Sequence, residues 1–368
     1  MSYMTETGKK LKIEISGVFA NQVRQMAQIM GITHEAVIQM SVANFANAPF
    51  TTMNTPNVSI HPTTPNLANL GDSESNIEIT PTVDNLFDLN DTDSDWAFLH
   101  RDELNFNLIK TGPSTQPEED YLLWGQFSRF LPIKFTLRVL AWCELRNNHP
   151  VTIQEWSMAV RTLSPFYRLI LRELDLAYGT RRGEQMASGF PKDTEKSTER
   201  FTRHFCADIY SDGKMVGLPS HLGLITNDGD RIQFTAEGLA YVEATNPLID
   251  KAGPEGRTIG ADEETILLST ILNHLPSEWK FMIQVRDWID EGFNTPTLLE
   301  GKIKQIYGRG TPTDWNENQI PTYRGGVIGR LGELCLITRE WKFRSVTYQK
   351  SGEQFLQEVH NGGRNSKE

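Results

Sequence analysis

Cysteine is scarce, with three residues at positions 143, 206 and 335. Their wide spacing offers neither a disulfide framework nor a paired metal knuckle, and it reads as reduced thiols in a cytoplasmic protein. No apolar run reaches the roughly 18 residues that a membrane helix needs. The first 30 residues show no continuous hydrophobic stretch ending in small residues, so no secretory signal is expected. An excess of base is also missing: the formal net charge is −11, which argues against a uniformly basic coat. Walker loop, dinucleotide fingerprint, Gly-x-Ser-x-Gly elbow and His-Glu-x-x-His are all absent. No catalytic residue, cofactor or metal is therefore expected. His204-x-Cys206-x-Asp208 is a lone alternation without a second ligand pair. Glu278-Trp279-Lys280 and Glu340-Trp341-Lys342 match only the Glu-x-Lys half of a nuclease core, without its further carboxylates.

What is present is unevenly distributed. Residues 71–120 hold thirteen acids and two bases, a balance equal to that of the whole chain of 368 residues. The acidity thus belongs to one segment. That segment continues an Asn-, Thr- and Pro-rich stretch, and composition of this kind buries too little apolar surface to offset chain entropy. Residues 47–118 are read as a linker. Within it lie the apolar islands Leu86, Phe87 and Leu89, then Trp96, Phe98, Leu99, Leu104, Phe106 and Leu108. They read either as a tethered element packing on the following domain or, across residues 86–108, as a peptide that docks on a protein partner.

Lys10-Leu11-Lys12-Ile13-Glu14-Ile15 alternates with period two, the signal of a half-buried strand. Val18 to Met30 reads as a helix stopped by Gly31, and Thr33 can cap a second helix reaching about Asn44. A strand and two helices of this length cannot close a core alone, so residues 1–46 imply a homodimer. The order resembles the ribbon-helix-helix family of bacterial DNA-binding repressors. The resemblance implies that paired strands from two copies enter the major groove, with Lys10, Lys12 and Glu14 outward and Thr33 and His34 at a phosphate clamp. Pure dimerisation without DNA contact fits the residues equally well.

Two later stretches end alike: Leu222-Gly223-Leu224-Ile225-Thr226 and Leu334-Cys335-Leu336-Ile337-Thr338. Each is followed by a polar turn (Asn227 to Asp230; Arg339 to Lys342), a short β-like run and a Gly-led helix. Upstream of the second, the pattern predicts helices capped by Asp262, from Trp279 to Glu291, from Leu298 to Tyr307, and from Tyr323 to Leu334 with Thr322 as cap. Upstream of the first, it predicts helices 135–145 and 153–163, then a fresh start at Ser164-Pro165 for 166–176. A polar insert over about 179–220 carries Arg181, Arg182, Lys192, Lys196, Arg200 and Arg203, read mainly as a solvated surface.

A helix ending in Leu-x-Leu-Ile, a hairpin, then a Gly-led helix resembles the winged-helix family. The resemblance implies two such domains, 119–250 and 258–360, with a tail at 361–368. The fold class expected is mainly α with small β (α+β). Between 302 and 350 there are nine bases and four acids. The resemblance puts that charge on a recognition helix and wing, so Thr322, Tyr323, Arg324, Arg330, Arg339, Lys342 and Arg344 become candidate contacts to double-stranded DNA. Gly325, Gly326 and Gly329 bare one helix face, which suits close approach of a DNA backbone or of another helix. The function implied is a non-enzymatic DNA-binding regulator or recognition subunit. The rivals are a tandem winged-helix adaptor in a DNA-maintenance or defence complex, which the near-neutral residues 121–368 suit, and a plasmid-type replication initiator.

Overall fold

The structure, a computed structural model, describes residues 2–4, 10–12, 96–118, 120–181, 183–192, 194–211, 213–252 and 256–352. It divides into two units, Met1–Trp96 and Ala97–Glu368. In the first, β1 (Ser2–Met4) and β2 (Lys10–Lys12) pair antiparallel, Tyr3 opposite Leu11. The expected strand is present over Lys10–Lys12, paired within the chain. Glu14, Thr33, His34 and the two expected helices lie outside the described residues, as does most of 47–95.

The second unit begins inside the expected linker. Short 3-10 turns at Ala97–Leu99, Arg101–Glu103 and Phe106–Leu108 bury Leu99, Leu104, Phe106 and Ile109. These side chains are covered by their own chain, whereas Leu108 stays exposed, and residues 86–95 lie outside the described residues.

Helix α1 (Leu131–Asn147) follows and is buried along nearly its whole length. A helix apolar all round belongs in a core, yet α1 also buries Lys134, Thr136 and Arg138. Lys134 Nζ lies 3.0 Å from Glu263 and donates to the carbonyls of Tyr241 and Ala244. Arg138 pairs with Asp250 at 3.0 Å and donates to the carbonyl of Leu99. Buried cations are tolerated only with such partners.

Helix α2 (Ile153–Ala177) opens with a capping box, in which the Thr152 hydroxyl accepts from Glu155 N while the Glu155 carboxylate accepts from Thr152 N. It runs unbroken through Pro165, where a fresh start was expected. Pro inside a helix costs about 3 kcal/mol. The stripe Trp156, Ala159, Val160, Leu163, Tyr167 and Leu171 is buried across the break, and its packing on α1 outweighs that cost.

The polar insert forms α3 (Glu195–Phe205), the small hairpin β3 (Asp208–Ile209) with β4 (Met215–Val216), and α4 (Leu218–His221). Then come the hairpin β5 (Ile225–Asp228) with β6 (Arg231–Phe234), and α5 (Ala236–Glu243).

The second half contains α6 (Ala261–His274), α7 (Pro276–Asp290), α8 (Pro296–Tyr307) and α9 (Gln319–Glu333). It ends in the hairpin β7 (Ile337–Lys342) with β8 (Ser345–Lys350). Gly260, not Asp262, caps α6, with Glu263 accepting from its N–H. Both shared endings are therefore antiparallel hairpins in an α+β fold. The stretch Arg339 to Lys342, expected as a turn, is strand instead, because Ile337, Arg339 and Trp341 alternate inward against exposed Thr338, Glu340 and Lys342.

Contacts join residues of 119–250 to residues of 258–360: Glu333 of α9 accepts from Phe130 N at 2.5 Å, and Glu263 of α6 holds Lys134 of α1.

Candidate nucleic-acid interface

Helix α9 starts earlier than expected, with Asn318 before it and the Asn316 side-chain oxygen accepting from Gln319 N. Thr322 thus sits inside the helix, its hydroxyl donating to Asn318 O. Tyr323 is buried, stacked on Trp315 with ring centres 4.0 Å apart.

Arg330 is fully buried. Its guanidinium bonds Glu278 Oε1 at 2.7 and 3.0 Å and donates to the carbonyl of Phe127 at 2.7 Å. Glu278 in turn accepts from Leu123 N. Arg330, a candidate DNA contact, has its donors spent on Glu278 and on the chain's own loop at 123–127.

The glycine face is used by the same loop. A Cβ on Gly326 would meet Gly125 Cα at 2.5 Å, and one on Gly329 would meet Ser128 O at 2.4 Å. The close approach anticipated from these glycines is made by the protein's own backbone. Gly325 differs, since a Cβ there meets nothing within 4 Å.

The remaining candidates gather at the β7–β8 hairpin. Lys342, Phe343 and Arg344 form its tip, all exposed, and Phe343 is 104% exposed with φ +56°. A left-handed φ at a hairpin turn is ordinarily filled by glycine or asparagine. A bare aromatic there carries a backbone cost and an apolar exposure cost with no contact to offset either.

At the hairpin base lies a cleft of about 190 Å³ lined by Arg129, Arg324, Arg339, Gly325 and Trp341, with no acid among its lining residues. Arg129 and Arg339 both donate to the carbonyl of Gly183, at 2.7 and 2.8 Å. Burial, then the neighbouring Arg129, pull the Arg339 pKa below its ordinary value. Arg324 Nε lies 3.2 Å from Glu300 on α8. Trp341 donates to Glu184 and carries the Arg181 guanidinium 5.5 Å above its ring, so it closes the hairpin against the 181–184 loop.

No protein family, curated protein or solved structure matches this chain.

Sequence reasoning brought Arg324, Arg339, Lys342 and Arg344 to one region, and named Arg181 only within a solvated run. It missed Arg129 and Phe343. Arg129 precedes a helix with no local pattern to mark it, while Phe343 carried a readable signal as the lone apolar residue between two cations. His204, Cys206 and Asp208 sit on a helix, a buried turn and an exposed strand position, and no metal-binding group is found among the described residues. Of the Glu-x-Lys pairs, Glu278 is committed to Arg330, and Glu340 lies 3.3 Å from Lys342 on the open hairpin.

Proposed function

We propose that this chain is a non-enzymatic DNA-binding protein that holds double-stranded DNA through the β7–β8 hairpin and the arginine cleft at its base. The observation that carries the reading is Phe343, fully exposed between exposed Lys342 and Arg344. Apolar side chains at such tips act as wedges at base steps, while flanking cations neutralise phosphate. The order of elements supports the winged-helix resemblance in both halves. Tyr348 N donates to Asn294 O, tying β8 to the residues that lead into α8, and Thr152 before α2 bridges Arg231 of β6. Lys10, Lys12, Glu14 and Thr33 remain candidates for a second contact, made by a dimer of N-terminal modules. The chain would serve as a regulator or as the recognition subunit of a larger complex.

Fluorescence anisotropy with duplex DNA across a salt series tests this. Each phosphate contact removed lowers the salt slope by about 0.9. The combined change of Arg324, Arg339, Lys342 and Arg344 to Ala is expected to flatten the slope, whereas Phe343→Ala weakens binding at unchanged slope. Absence of binding at low salt, or binding insensitive to salt, overturns the reading.

An adaptor role is the second reading. It is favoured by the 30 bases and 31 acids of residues 121–368, a balance near neutral. A protein partner lost on the fourfold change while DNA binding persists would select it.

A further inference from the structure

The cleft has more positive charge than its fold requires. Arg129 is only 6% exposed and has no carboxylate partner among the described residues. A buried guanidinium without an acid is costly unless an anion completes it. Arg129 and Arg339 share a single carbonyl oxygen, that of Gly183. Among the described residues Arg339 donates besides to Ile328 O. None of the guanidinium nitrogens of Arg129 and Arg339 is among the buried atoms without a partner, so the donors not spent on these carbonyls open onto the cleft. Arg324 also lines the cleft but is paired with Glu300 at 3.2 Å, so the charge without a carboxylate partner is that of Arg129.

The enclosure argues for one compact anion. Helix α9, the β7–β8 hairpin and the segments at 128–129 and 183–188 wall the cleft, and the hydroxyl-bearing residues Ser128 and Ser188 line it. A phosphodiester carries one charge and must run through to esterified oxygens at both ends. A phosphate monoester carries about −1.5 to −2 charges near pH 7 and presents three free oxygens. Guanidinium forks match such a group bidentately.

We propose that this cleft binds a phosphate monoester, the terminal phosphate of a nucleotide or of a nucleic-acid strand. The strand-end source rests on the DNA reading above; the phosphate site itself does not.

The test uses the full chain and four probes: inorganic phosphate, deoxyadenosine 5′-monophosphate, and one blunt duplex prepared with a 5′-phosphate or a 5′-hydroxyl. The 5′-phosphorylated duplex is expected to bind about tenfold tighter or more, the effect of one added charge-assisted hydrogen bond. The mononucleotide and phosphate should compete with it. Arg129→Gln should erase the preference. Because a buried arginine can be needed for folding, Gly325→Glu provides the second variant. It introduces a carboxylate at a helix position where a Cβ meets nothing within 4 Å. The variant is expected to melt at or above the parent's temperature and to bring the ratio of the two duplex affinities to about one, since its carboxylate supplies the missing counter-charge.

Equal affinity for the two duplexes, with no competition by the mononucleotide, overturns the proposal and leaves the DNA reading intact. A preference that survives in a folded Gly325→Glu protein also overturns it, by moving the phosphate site elsewhere. Binding of the mononucleotide, abolished by Gly325→Glu, with neither duplex bound, supports the cleft and removes the DNA reading. Failure of all four probes removes both.

Discussion

Arg330→Met separates a buried structural arginine from a surface phosphate contact. The change keeps most of the side-chain stem and removes only the guanidinium. Lost are two bonds to Glu278 and those to the carbonyls of Phe127, Trp124 and Leu123, while Glu278, itself fully buried, is left without its cation. Removing one member of a buried pair costs about 3–5 kcal/mol. For a unit of this size about 1 kcal/mol moves Tm by roughly 2–4 °C, so a fall of roughly 6–20 °C is expected. Urea unfolding and calorimetry measure it directly. Combining Arg330→Met with Glu278→Met removes both charges and should recover part of the loss, since an apolar pair of similar volume is often neutral in such places. The reasoning is refuted if Arg330→Met unfolds within about 1 kcal/mol of the parent. It fails decisively if that stable variant has also lost affinity for DNA, because the arginine would then be working at the surface.

Three glycines in one helix should respond with opposite signs. Gly325→Ala removes helix-disfavouring freedom at an open position and is expected to stabilise by up to about 1 kcal/mol. Gly326→Ala and Gly329→Ala drive a methyl into the backbone of Gly125 and Ser128 and should destabilise, by about 1–3 kcal/mol each; denaturant midpoints that moved alike in all three variants would contradict the packing of α9 on this loop. Glu144 supplies a pH test. Burial pushes its carboxyl up to about 8, and its Oε1 has no hydrogen-bond partner. The folded protein therefore holds a proton that the unfolded chain, near 4.3, gives up. Between those values the native state binds more protons, so this group makes stability fall as pH rises from about 4.5 to about 8. Glu144→Gln should flatten that fall and exceed the parent in stability at pH 8, with little difference at pH 4.5; superimposable stability–pH curves for the two proteins would rule the assignment out.

Much of the local structure was legible because its causes lie within a few residues. The two repeated endings encode hairpins, although Ile225 and Ile337, read as helix ends, open strands, and the apolar spacing over 263–272, 281–289 and 298–307 encodes helices close to those observed. The local rules failed where a distant partner was stronger. Pro165 was read as a helix start, but the buried stripe from Trp156 to Leu171 carries α2 across it. Thr322 has the chemistry of a cap, but the helix begins with the Asn316–Gln319 turn before it.

The candidate site divides in the same way. By itself the sequence determined that bases concentrate in 302–350 and that glycines bare one side of a helix there, since composition and spacing need no partner to be read. Which bases stay open was decided only by the tertiary structure. Arg330 and Arg324 lie six positions apart on one helix, yet Arg330 meets Phe127, distant by 203 positions, and Glu278, and is consumed by them. Arg339 meets Gly183 across 156 positions and there joins Arg129. Charge is a property of a residue, whereas availability depends on what the rest of the chain packs against it; long-range packing made one arginine a core strut and assembled three others into a cleft.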